Sequence, residues 1–221
     1  MSVTERLEAI RARIESATEA AGRAPGSVRL IAVSKRHPPE AIREAHAAGQ
    51  RIFGESYAQE LEAKAAALSD LDLEWRFIGH LQRNKAKVIV AAGASVDSVD
   101  SPRLAKELHK RASAERVVMP VRIQVNVAGE SQKSGVDPST LDALVDRVRT
   151  LDALRLDGLM TIPPAGDPED ARPHFSALVA LADRFELPVR SMGMSGDLEV
   201  AIAEGATEVR VGTAVFGPRP D

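Results

Sequence analysis

Apolar residues along this 221-residue chain follow two alternating patterns. From Val3 to Ala21 they recur at helical spacing, with Leu7, Ile10, Ile14, Ala17 and Ala21 on one stripe and Gly22 closing the segment. This predicts an amphipathic opening helix. Residues 28–33, Val-Arg-Leu-Ile-Ala-Val, then form a nearly unbroken apolar run of the kind found in a strand covered on both faces. Similar runs recur near residues 52–53, 75–78, 96–99, 119–127, 154–160, 189–192 and 208–211, giving eight with the first. Between them lie helix-like stretches with recognisable starts. Ser101-Pro102 precedes Leu104 and Leu108, and Asp137-Pro138 precedes Leu141, Leu144, Val145 and Val148.

Eight strands alternating with helices predict an α/β fold, a single (βα)8 TIM barrel with an extra N-terminal helix; an open doubly wound sheet usually has fewer strands. No Pro- or Gly-rich linker divides the chain, so residues 1–221 are read as one domain, and the Pro/Gly-containing stretch 163–168 as a long βα loop.

Composition narrows the function classes. Charge is −3, from 29 basic and 32 acidic residues spread along the chain, which lacks the concentrated positive field that phosphate backbones require and argues against nucleic acid. Cysteine is absent, so disulfides, thiolate metal sites and cysteine nucleophiles are excluded. The histidines, at 37, 46, 80, 109 and 174, show no metal-motif spacing. The charged N-terminus does not read as a signal peptide and no stretch reaches membrane-spanning length, so the expected location is cytoplasmic, with no membrane partner.

In a barrel of this type, chemistry sits where strands end. Lys35, Gly54, Gly79, Asn126, Met160, Ser195 and Gly212 fall at such ends. Lys35 directly follows a buried strand, where partial desolvation or a nearby cation can lower an amine's pKa enough for imine formation. Residues 191–197, Ser-Met-Gly-Met-Ser-Gly-Asp, precede a short helix, and Val209-Arg210-Val211-Gly212-Thr213 ends the last run. Both segments suit a phosphate: Ser195 offers a hydroxyl and an amide, and Gly212 and Thr213 offer backbone N–H groups left open by a small residue. The alternative is that these glycines only make tight turns.

A family resemblance runs through the chain in order. It is carried by Val33-Ser34-Lys35, Phe53-Gly54-Glu55-Ser56-Tyr57-Ala58-Gln59-Glu60, Phe77-Ile78-Gly79-His80-Leu81-Gln82-Arg83-Asn84-Lys85, Val125-Asn126-Val127, Lys133-Ser134-Gly135, Gly158-Leu159-Met160 and residues 191–197 and 210–217. These segments resemble the pyridoxal phosphate homeostasis protein family, which is similar in fold to the N-terminal barrel domain of alanine racemase. The resemblance implies that Lys35 holds pyridoxal 5′-phosphate (PLP) as an internal aldimine, that Ser195, Gly212 and Thr213 contact its phosphate, and that Arg210 faces the pyridine nitrogen. Met194, Ser56 and Asn126 complete the expected cofactor-binding set; no catalytic residue and no metal ligand is assigned. The family usually has Asn where this chain has Ser56.

A guanidinium donates to the ring nitrogen without readily giving up a proton, which makes the cofactor a poorer electron sink and disfavours transamination. The expected function is thus a PLP carrier acting in vitamin B6 homeostasis rather than a dedicated enzyme, with PLP-dependent apoenzymes as possible recipients. The main alternative is an amino-acid racemase. Its second proton carrier is a tyrosine from an added domain, whereas the single tyrosine here, Tyr57, lies early in the barrel. An imine-forming aldolase is a third reading, disfavoured because its lysine usually lies on a later strand. The absence of that added domain also favours a monomer. Lys133 is a candidate second amine, His80 reads as structural or solvated, and Tyr57 and Trp75 read as core residues.

Overall fold

Eight parallel strands close on themselves in sequence order, each paired with its neighbours in the chain and the last with the first. The structure is a computed structural model, and it describes residues 1–130 and 134–218. The strands are β1 (Arg29–Val33), β2 (Ile52–Glu55), β3 (Glu74–Phe77), β4 (Ser95–Val99), β5 (Met119–Gln124), β6 (Leu154–Met160), β7 (Val189–Ser191) and β8 (Glu208–Val211). Around them run α1 (Val3–Ala20), α2 (Pro39–Ala47), α3 (Ala58–Ala67), α4 (Ala86–Ala91), α5 (Pro102–Ala114), α6 (Leu141–Arg149), α7 (Arg172–Arg184), α8 (Leu198–Ala203) and α9 (Thr213–Phe216). Closure is made by β1 and β8, with Arg29 opposite Glu208 and Ala32 opposite Val211. This is the expected (βα)8 barrel with its extra N-terminal helix.

Helix α1 begins with a capping box: the Ser2 hydroxyl accepts from the Glu5 amide at 3.1 Å, and the Glu5 carboxylate accepts from the Ser2 amide at 2.8 Å. It buries Val3, Leu7, Ile10, Ile14 and Thr18 and packs against α2, α8 and α9. Ser101 caps α5 as its sequence predicts. At Asp137-Pro138 the first turn is instead a 3₁₀ turn, Pro138–Thr140, capped by Asp137, and α6 proper follows at Leu141. Strand β5 is shorter than its apolar run. After Gln124 the chain leaves the barrel ladder, and Val125 pairs with Val136 inside the β5–α6 loop.

Two glycines allow the strands and loops to approach. A Cβ on Gly158 would lie 2.1 Å from the Val189 carbonyl oxygen on β7, and one on Gly79 would lie 2.2 Å from the Ser56 carbonyl oxygen.

The barrel interior holds charges that an apolar-run reading does not anticipate. Arg76, Asp97, Arg122 and Glu208 are all buried. Arg122 donates to Asp97 at 2.8 Å and, across the barrel, to Glu208 at 3.2 Å; Arg76 reaches the same Glu208 oxygen at 3.4 Å. Burial drives Asp97 up from the usual carboxylate range against the pull of the two arginines. Two cations facing two anions keep this lower layer close to charge balance.

Candidate functional site

A cavity of about 220 Å³ opens at the C-terminal mouth of the barrel. It is lined by Val33, Lys35, His37, Ser56, Ile78, Ile162, Met194, Ser195, Arg210, Gly212 and Thr213. Lys35 and His37 come from the loop after β1, Ser56 from the loop after β2, Met194 and Ser195 from the loop after β7, and Gly212 and Thr213 from the end of β8. Of the expected cofactor-binding set, Lys35, Ser56, Met194, Ser195, Arg210, Gly212 and Thr213 therefore meet in one place. Asn126 does not line it: its side-chain amide donates to the Glu130 carbonyl at 2.9 Å and holds the loop after β5.

Lys35 is half-buried and sits in a tight turn in which the His37 amide donates to the Ser34 carbonyl at 3.0 Å. Arg36, the next residue, has φ +64°, a left-handed conformation that costs a non-glycine residue roughly 1–2 kcal/mol. His37 stacks on Phe216 with ring centroids 5.1 Å apart. Sequence reading passed over His37 because its position in the cavity depends on contact with α9, which no local pattern reveals.

Arg210 forms the floor. It is buried, donating through Nη1 to the Ser191 hydroxyl at 2.9 Å and through Nη2 to the Thr161 carbonyl at 2.7 Å. Its Nε–H makes no hydrogen bond among the described residues. Burial pushes the guanidinium down from its ordinary value, opposed by Asp97, Asp197 and Glu208. That ordinary value is so high that the group remains a pure donor at neutral pH.

The opposite wall is built from small and hydroxylic residues. Ser195 lies in the turn before α8 rather than in the helix itself. Asp197 fixes this turn by accepting from the Met194 amide. From outside, Arg13 of α1 donates to the Ser195 carbonyl at 3.1 Å and to Glu199 at 2.8 Å. Gly212 leads directly into α9, whose first amides, those of Thr213 and Ala214, have no acceptor within the helix. Val33, Ile78, Ile162 and Met194 supply apolar surface around the cavity.

This donor set fits PLP: one amine for the aldehyde, hydroxyls and open amides for a phosphate ester, a fixed cationic donor for a ring nitrogen, and apolar side chains for the ring faces.

Tyr57 is not a core residue as expected. It is 46% exposed at the rim, with the Arg36 guanidinium 6.0 Å from its ring centroid, because it precedes α3 in a loop that no apolar layer covers. Trp75 is buried against Phe53, as expected. His80 is exposed, 3.4 Å from Asp100, and outside the main cavity. Lys133 lies outside the described residues. Among the described residues, no helix is long and apolar enough to cross a membrane.

Comparison with known proteins agrees with this fold. Residues 6–220 match the family described as "Alanine racemase, N-terminal domain". The chain is 46% identical to the pyridoxal phosphate homeostasis protein of Aquifex aeolicus, covering 99% of each chain, and 47% identical to that of Pseudomonas aeruginosa, covering 99% of this chain and 96% of the relative. A structure of PipY from Synechococcus elongatus PCC7942 with PLP bound superposes with a TM-score of 0.87 at 40% identity, covering 98% of this chain and 100% of PipY. On this similarity over nearly its full length, the chain belongs to the alanine racemase N-terminal domain family and, within it, to the pyridoxal phosphate homeostasis proteins.

Proposed function

We propose that this protein binds PLP in the barrel-mouth cavity and serves vitamin B6 homeostasis as a carrier, with Lys35 as the covalent anchor. The observation that carries this reading is the convergence of Lys35, Arg210 and the Ser195/Gly212/Thr213 wall on one cavity, together with the PLP-bound structure of the relative PipY.

Each residue has a distinct task. Lys35 offers its amine to the aldehyde. The Ser195 and Thr213 hydroxyls and the amides that open α9 hold the phosphate. Arg210 directs an N–H at the ring nitrogen, and its own two anchors, Ser191 and Thr161, keep it from following the ligand out. Met194, 36% exposed, and Ile162, 37% exposed, border the mouth, so a bound ligand remains near solvent. When bound, PLP supplies a reactive aldehyde and an electron-withdrawing ring. Arg210 weakens that electron withdrawal by donating a hydrogen bond without handing over a proton.

Racemisation requires a second proton carrier on the far face of the substrate. Tyr57, the one tyrosine, does not line the cavity, which favours holding over turnover. Titrating the apoprotein with PLP tests the reading: a saturable change in cofactor absorbance is expected, and incubation of the loaded protein with L- or D-alanine should leave optical rotation unchanged. Racemisation at about 1 s⁻¹ or faster, the range of ordinary enzymes, would overturn the carrier assignment.

A further inference from the structure

Lys64, on α3, is buried, and its ammonium spends its three N–H donors within the protein. They reach the Ser34 carbonyl at 2.8 Å, Glu55 at 2.7 Å and Glu60 at 3.0 Å. Two of these acceptors adjoin the anchor. Ser34 immediately precedes Lys35, and its hydroxyl also donates to Glu55 at 2.6 Å. Glu60 accepts from the amide of Arg36, the residue immediately after Lys35, at 2.8 Å. One buried charge thus braces the chain on both sides of Lys35.

The turn needs such a brace. Lys35 and Arg36 are the central residues of the Ser34–His37 turn, and Arg36 holds the left-handed conformation that glycine or asparagine normally supplies. Strain of this kind persists where surrounding contacts over-determine it. Glu60 and Lys64 are four residues apart on α3 and so share a helix face turned towards the turn.

We infer that Lys64 and Glu60 are positioning residues: they fix the turn that aims the Lys35 amine, and act on formation of the covalent bond rather than on the grip of the phosphate. This rests on Lys35 being the anchor. The bond joins Lys35 Nζ to the aldehyde carbon with loss of one water, so neither oxidant nor reductant is required.

The test compares PLP with pyridoxine 5′-phosphate, which keeps the ring and phosphate but carries an alcohol where PLP has its aldehyde. In Glu60→Gln and Lys64→Met, PLP should load more slowly than in wild type, by about tenfold or more given the sensitivity of bond formation to small misplacements. Affinity for pyridoxine 5′-phosphate should remain at the wild-type value. Equal weakening of both ligands, or wild-type PLP loading in folded variants, would overturn the inference. If Lys64→Met does not fold, Glu60→Gln alone decides. Failure of borohydride to trap an adduct on Lys35 of the wild type brings down the anchor and this inference together, whereas a trapped wild-type adduct with unimpaired variants removes the inference alone.

Discussion

The guanidinium of Arg210 donates to the carbonyl oxygen of Thr161 at 2.7 Å, tying the last strand to the end of the sixth beneath the cavity floor. Arg210→Met keeps the bulk but removes this donor and the one to Ser191. The variant should lose about 1–3 kcal/mol of stability from the stranded buried acceptors, read as a lower urea midpoint. It should also bind PLP more weakly. Unchanged stability would show that Arg210 is not the structural tie described.

Ser195 and Thr213 are assigned to the phosphate, so their loss should be felt only by phosphorylated ligands. Ser195→Ala and Thr213→Val should each weaken PLP by about tenfold, the value of one hydrogen bond to a charged acceptor. Affinity for pyridoxal, which has no phosphate, should not change. Neither side chain is buried, so thermal midpoints without ligand should match wild type.

Much of this site was legible in the sequence because a barrel turns local patterns into global placement. Once eight apolar runs alternate with helices, the few residues after each run are expected at the mouth, which is where Lys35, Ser195, Gly212 and Thr213 stand. What was not legible depends on contacts across the barrel or between distant loops. Arg76, Arg122 and Glu208 each look like an exposed position within an apolar run, and only closure of the sheet points them at one another. The Glu55–Lys64 pair joins a strand end to a helix through burial that no spacing rule predicts. Asn126 is the opposite case: it follows a strand but does not line the cavity, because the chain leaves the barrel ladder there, with Val125 paired to Val136.

Close approach of the second and third loops depends on Gly79. In Gly79→Ala the new Cβ would fall 2.2 Å from the Ser56 carbonyl oxygen and 2.8 Å from its Cα, both backbone atoms. The Ser56 loop must move, at about 1–3 kcal/mol by analogy with overpacked cores. Chemical unfolding should show this loss, and PLP affinity should fall because Ser56 lines the cavity.

The Glu60 carboxylate carries a pH signature. Burial opposes its charge, but the Arg36 amide and the Lys64 ammonium outweigh that and hold it below its ordinary value of 4.5. A carboxyl whose folded pKa is depressed adds stability above its unfolded pKa and loses it as pH falls through the folded one. The stability difference between wild type and Glu60→Gln should therefore be full at pH 7 and shrink steadily below pH 4.5. Urea titrations at several pH values measure it, and a difference that grows on acidification would reverse the assigned sign.

The central claim is that the Lys35 amine bonds the cofactor. Protein saturated with PLP, reduced with borohydride and digested, should yield a phosphopyridoxyl mass on the peptide containing Lys35, and Lys35→Ala should yield none there. A saturated wild-type protein with that peptide unmodified, or with the label on another lysine, would contradict the account.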